Sequence, residues 1–127
     1  MMVVLVVDPY RHSRQGLRTS LVEMGYQVET AANLAEAIAL IDMTHFDVAV
    51  IDLDLPRWSA PPGGGWELAV LCRALNPDAA IVVVSSEIVT ESVARSEELG
   101  AELLAKPISP ARLRGIVRAL AHGGRGT

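Results

Sequence analysis

Residues 47–56, DVAVIDLDLP, set an apolar, β-branched run against acids: Val48 to Leu53 is apolar apart from Asp52, and Asp54 and Pro56 close it. A short continuous apolar run bounded by turn formers reads as a strand buried on both faces, because a half-buried strand would alternate polar and apolar residues. Strands of that kind belong to parallel sheets covered by helices on both sides. Taken alone, Asp52 is an ordinary strand-end aspartate.

Working outward, the same pattern recurs at Val3 to Val7, Ile81 to Val84 and, more weakly, Glu102 to Ala105, with Gln27 to Thr30 as a fifth strand. Helical spacing fills the intervals. Arg14 to Met24 carries Leu17, Leu21 and Met24 on one stripe and stops at Gly25, a common residue just past a helix end. Asn33 is a good N-cap for Leu34 to Met43, where Leu34, Ala37, Ile38 and Ile41 share a face. Trp66 to Leu75 presents Leu68, Leu71, Cys72 and Leu75, and ends at Asn76-Pro77. Thr90 to Leu99 is thinly apolar, with Val93 as its main anchor; Pro110 to Ala121 carries Leu113, Ile116, Val117 and Leu120 behind the N-cap Ser109.

Strand and helix thus alternate five times. A parallel strand needs a crossover helix to return, so the order predicts an α/β fold: a flavodoxin-like, doubly wound (βα)5 sandwich with a five-stranded parallel sheet in the order 2-1-3-4-5. Ligands in such sheets bind beyond the carboxyl ends of the strands, which is where function is to be sought.

The bulk numbers agree with one folded domain. The chain has 127 residues, 50% hydrophobic and 20% charged, and a net charge of −4, far from the composition of disorder. That charge offers no general attraction to a polyanion, and no dense Lys/Arg run with interleaved aromatics is present, so direct nucleic-acid binding is not expected. The single cysteine, Cys72, suits a reducing cytoplasm and reads as a buried structural thiol. The apolar opening to Val7 lacks a basic flank and is interrupted by Asp8 and Pro9; it is neither signal peptide nor membrane span. Residues 1–122 are read as the domain and Gly123 to Thr127 as a flexible tail or the start of a linker.

At the strand ends stand Asp8, Asp52, Ser85 and Lys106. A carboxylate nucleophile, a second carboxylate for a hard cation, a hydroxyl donor and an ammonium are the parts that phosphoryl transfer requires. VVLVVDP, DVAVIDLDLP, IVVVSS and LLAKP, in that order along the whole chain, resemble the four signature segments of response-regulator receiver domains (CheY-like) of bacterial two-component signalling.

Carried over residue by residue, the resemblance implies that Asp52 accepts a phosphoryl group from a sensor histidine kinase or phosphotransfer protein and switches a protein-interaction surface. It implies that Asp8, Asp52 and the backbone carbonyl of Asp54 hold Mg²⁺, that Ser85 bonds a phosphoryl oxygen and that Lys106 neutralises it, its geometry set by a Lys106-Pro107 peptide that is often cis in the family. It implies no dedicated enzyme, beyond slow autodephosphorylation, and allows a homodimer through the fourth and fifth helices.

The sequence also departs from the family pattern. A second acid usually follows the first, and here it is Pro9, which weakens the metal site; the Asp54 side chain is a candidate substitute. The switch position three residues before the lysine, commonly aromatic, is Leu103. The segment Arg57 to Gly65 (RWSAPPGGG) is longer than the usual turn, and three readings stay open for it: a lid over the site, a loop that presents Trp58 to a partner, or neither.

These departures keep open a phosphorylation-independent receiver-like interaction module. Asp52 and Asp54 with Ser85 and Lys106 also resemble the opening motifs of haloacid-dehalogenase-type phosphatases. That family needs acids after the lysine, and residues 107–127 contain none. A flavin or nucleotide site would want a Gly/Ser/Thr-rich loop where Asp8-Pro9-Tyr10-Arg11 stands. His12, His45 and His122 are isolated and show no metal-ligand spacing.

Overall fold

Ten elements alternate along the chain: β1 (Val3–Val7), α1 (Arg11–Val22), β2 (Gln27–Ala31), α2 (Leu34–Met43), β3 (Val48–Asp52), α3 (Gly64–Leu75), β4 (Ala80–Ser85), α4 (Thr90–Leu99), β5 (Glu102–Ala105) and α5 (Pro110–Ala121). The structure is a computed structural model, and it describes residues 2–55 and 64–121. Most of the long segment singled out between Arg57 and Gly65, with Trp58, falls outside the described residues, as do His122 and the tail. The strands form one five-stranded parallel sheet, ordered β2-β1-β3-β4-β5 as the alternation predicts. Among the described residues no helix is long and apolar enough to cross a membrane.

Alternation along each strand divides the interior in two. Leu5, Val7, Ala49, Ile51, Ile81 and Val83 point to the face covered by Leu34 and Ile41 of α2 and Leu68 and Cys72 of α3. Val4, Val6, Val48, Val50 and Val82 point to the face covered by Leu17 and Leu21 of α1 and Leu113 and Val117 of α5. With β1 and β3 buried along their apolar length, the continuous apolar runs are explained: both faces are inside. Cys72 is buried as expected, and burial pushes its thiol up to about 11 against the opposing pull of Arg73.

Three helix faces differ from the periodicity reading. Ile38, Leu75 and Val93 were expected to face inward; they are 42%, 55% and 41% exposed. In α2 and α3 the inward stripe is narrower, carried by Leu34, Ala37 and Ile41 and by Leu68, Ala69 and Cys72. In α4 the polarity is inverted: Ser92 and Ser96 are the buried residues. Small side chains let this helix lie close to its neighbours, and Ser96 satisfies its hydroxyl on the Val93 carbonyl at 2.8 Å.

Register brings the functional strand ends together. Val7 of β1 lies beside Ile51 of β3, Asp52 beside Val84 of β4, and Ser85 beside Ala105 of β5. The helix starts do the rest of the positioning. Asn33 caps α2 by accepting the Glu36 N–H at 2.9 Å, and Ser109 caps α5 by accepting the Arg112 N–H at 3.1 Å, both as expected. Helix α1 begins at Arg11, three residues earlier than its apolar stripe suggests, and the reason lies in the site itself.

Candidate functional site

Asp8, just past β1, is 5% exposed. Its Oδ1 accepts the Tyr10 N–H at 2.8 Å and its Oδ2 accepts the Ser13 hydroxyl at 2.6 Å. The carboxylate thereby starts α1, a task that the Tyr10 side chain at the cap position does not perform. Arg14 adds to the turn by donating to the Asp8 carbonyl at 2.8 Å.

Asp52 closes β3 and is 4% exposed. Its Oδ1 accepts the Asp54 N–H at 2.8 Å, and its Oδ2 lies 2.7 Å from Lys106 Nζ. The same ammonium lies 3.1 Å from Asp54 Oδ2, so Lys106 bridges two carboxylates. Lys106 stands just past β5, with a cis peptide to Pro107, and its main-chain N–H bonds the Ser85 carbonyl at 2.9 Å. The ring of Tyr10 sits 5.1 Å from Nζ, adding a cation–π contact on the open side.

Burial and pairing compete in this cluster. Burial raises the Asp52 carboxyl above the usual carboxylate range, and the bonds from Lys106 and the Asp54 amide recover only part of that cost. Burial acts the same way on the more exposed Asp54, but there the Ser86 amide and Lys106 outweigh it and hold the carboxyl below its ordinary value. Burial alone would lower Lys106; its two carboxylate partners overcome this and raise it. Lys106 is therefore a firmly protonated counter-ion, and Asp52 the carboxylate whose charge is least comfortable.

Asp8, Asp52 and Lys106 line one cavity of about 370 Å³, floored by apolar residues such as Val6 and Val50. Ser85 is delivered to the same sheet edge, but its hydroxyl is turned into the following loop, donating to the Glu87 carbonyl at 2.8 Å and accepting the Glu87 N–H at 3.1 Å. The donor set of Asp8, Asp52 and the Asp54 carbonyl is all oxygen, the chemistry a hard cation takes. Its arrangement is weak: among the described residues no three His, Cys, Asp or Glu side chains group closely enough to hold a metal ion, and both Asp8 oxygens already have partners.

Sequence reading missed four contributors. Ser13 and Tyr10 carry a local signal, an acid followed by a hydroxyl and an aromatic at a helix start. Gly65 was seen only as part of an odd segment, yet a Cβ there would meet Leu53 Cα at 2.8 Å and the Asp52 carbonyl oxygen at 3.1 Å. The Ser86 amide, bonded to Asp54 Oδ2 at 2.9 Å, has no local signal, since 32 residues separate the partners.

Residues 4–118 match the family described as the response regulator receiver domain. A response regulator, MprA, of Mycobacterium sp. (strain KMS) is 35% identical over 118 residues, which are 92% of this chain and 49% of that protein. The chain thus spans about half the length of the curated relatives it matches. Among solved structures, a CheY-like receiver domain protein from Methanospirillum hungatei JF-1 superposes with a TM-score of 0.81 at 28% identity, over 95% of this chain and 94% of that one. The chemotaxis protein CheY4 of Vibrio cholerae gives a TM-score of 0.81 at 28% identity, over 94% and 98%. None of the alternative readings gains support from these likenesses.

Proposed function

Because this chain belongs to the response regulator receiver-domain family, a signalling family and not a class of dedicated enzymes, we propose that it accepts a phosphoryl group on Asp52 and relays the change to a protein-interaction surface. The observation that carries the reading is the buried Asp52 carboxylate at 2.7 Å from Lys106, at the mouth of a cavity. The donor is a phosphohistidine on a sensor kinase or phosphotransfer protein. An Asp52 oxygen attacks phosphorus, the phosphorus–nitrogen bond breaks, and the histidine leaves with the electron pair.

Bringing an anion onto a carboxylate is opposed by like charge, and Lys106 is the group already placed to screen it. Ser85 then exchanges its bond to Glu87 for one to a phosphoryl oxygen. Mg²⁺, which receiver domains generally bind at their acidic pocket, would be held here by Asp8, Asp52 and the Asp54 carbonyl, would neutralise phosphoryl charge, and is weakened by Pro9. Slow return of the phosphoryl group to water makes the state transient.

The receiver unit in this reading is residues 1–122, working in the cytoplasm. The output surface includes α4 and the segment just before it, where Val93 and, ahead of the helix, Ile88 and Val89 are exposed. The reading includes a homodimer through α4 and α5, to which exposed Glu97 and Glu98 on α4 and exposed Arg112 and Arg118 on α5 offer opposite charges.

The test is intact mass after incubation with acetyl phosphate, with and without Mg²⁺. We expect gain of one phosphoryl group, faster with Mg²⁺ and lost in Asp52→Ala. No adduct at saturating donor and metal would sink the proposal.

A further inference from the structure

We propose that the Asp54 carboxylate is a latch: in the resting protein it holds the loop between β4 and α4 through the Ser86 amide, and it releases that loop when Lys106 leaves it for a phosphoryl group on Asp52. The release half rests on the phosphoacceptor reading above; the holding half does not.

The Asp54 side chain joins three parts of the sheet edge. It follows β3, its Oδ2 accepts the Ser86 N–H at 2.9 Å just beyond β4, and the same oxygen lies 3.1 Å from Lys106 beyond β5. Ser85 closes its hydroxyl onto Glu87, so the loop leaves the strand in a tight turn that presents the next amide to Asp54. A hydrogen bond to a charged acceptor is about twice as strong as a neutral one.

What this bond restrains is loosely held by everything else. Ser86 to Thr90 are all exposed, and α4 turns only Ser92 and Ser96 fully inward. The far end of α4 is pinned. Arg73 donates to the Leu99 carbonyl at 2.9 Å and the Gly100 carbonyl at 3.3 Å, and at mid-helix Arg95 lies 5.6 Å from the centre of the Trp66 ring. The helix is thus fixed at its C-terminal end and tied at its N-terminal end through Asp54 and Ser85. Freeing that end alone lets the exposed Ile88, Val89 and Val93 move as a unit.

The trigger is the shared ammonium. A phosphoryl group on Asp52 carries a charge of about −2 at neutral pH and draws Lys106 toward its oxygens. Asp54 then loses its counter-ion while a dianion appears two residues away, and the anion is favoured farther from the cluster. Moving outward breaks its bond to Ser86. At the same moment Ser85 gains a phosphoryl oxygen to replace Glu87, so both ties at the start of α4 are released by one event.

Lys106 is the sole lysine in the sequence, so lysine-selective labelling yields one side-chain NMR signal that reports the bridge. The experiment follows that signal and amide exchange at Ser86 in the full chain, before and after acetyl phosphate, for the native protein, Asp54→Ala and Asp54→Asn. In the resting state we expect Ser86 to exchange about tenfold faster in Asp54→Ala, and Asp54→Asn, which keeps a neutral acceptor, to restore most of the protection. On adduct formation the native Ser86 amide should lose protection as the lysine signal shifts. In Asp54→Asn the lysine signal should shift while Ser86 stays protected, because no charge drives the side chain away.

Native-like protection in resting Asp54→Ala overturns the latch. An adduct that leaves native Ser86 protected overturns its release. Absence of any adduct, with Ser86 still responding to Asp54→Ala, supports the holding contact while overturning the phosphoacceptor reading.

Discussion

Lys106 decides the electrostatics of the site, because one ammonium serves two carboxylates, Asp52 and Asp54, that would otherwise be left without a counter-ion between them. Removing one partner of a buried pair costs more than the pair contributes, since it strands a charge. Here Lys106 and Asp54 are 25% and 28% exposed, so water recovers part of the loss. Lys106→Met is expected to destabilise the protein by about 1–3 kcal/mol, measured by urea denaturation at neutral pH.

The pH dependence follows from the same contacts. Lys106 is raised in the folded protein, so its stabilisation is complete below the ordinary lysine value and is lost as pH rises through the folded one. Asp54 is lowered, so its stabilisation holds at neutral pH and is lost as pH falls through its folded value. Asp52, raised by burial, works the other way on the acid side and offsets part of the Asp54 loss. The expected result is an alkaline fall in stability that is steeper in the native protein than in Lys106→Met, both keeping the part that comes from the buried Cys72 thiol. Equal alkaline slopes in the two proteins would refute the assignment.

Among the elements, α3 positions the site from behind. Its second residue, Gly65, sits where a Cβ would fall 2.8 Å from Leu53 Cα, closer than any side chain tolerates, and the contact is with backbone that cannot swing aside. Gly65→Ala should therefore cost about 1–3 kcal/mol, as overpacking does, and displace the strand end that carries Asp52. The measurement is thermal unfolding together with the rate of adduct formation; a variant native in both would show that the strand and helix have room to part. Helix α1 shows the converse, a functional carboxylate serving local structure, because Asp8 starts the helix through Tyr10 and Ser13.

For the whole molecule, one sheet is shared by two cores, and neither face can lose its helices without exposing strands that the other face also buries. Leu68 and Leu113 lie on opposite faces at 0% and 1% exposure. Leu68→Ala and Leu113→Ala should each cost about 2–5 kcal/mol. Both should shift the same single transition, with fluorescence and circular dichroism coincident. Separate transitions for the two variants would mean that the faces fold independently.

The sequence by itself determined the alternation of five strands and five helices, the parallel sheet and its order, and the residues that reach the strand ends, Asp8, Asp52, Ser85 and Lys106. These are readable because burial on both faces forces continuous apolar runs and because caps such as Asn33 and Ser109 act within a few residues. Helix faces were legible only in part: periodicity marks which side is apolar, yet the width of the buried stripe depends on how closely neighbours approach, which is why Val93 faces out and Ser92 and Ser96 face in. Only the tertiary structure decided that Lys106 bridges Asp52 and Asp54 and that Asp54 holds Ser86. Those bonds join residues whose separation along the chain carries no pattern, and the register of β3, β4 and β5 alone brings them within reach.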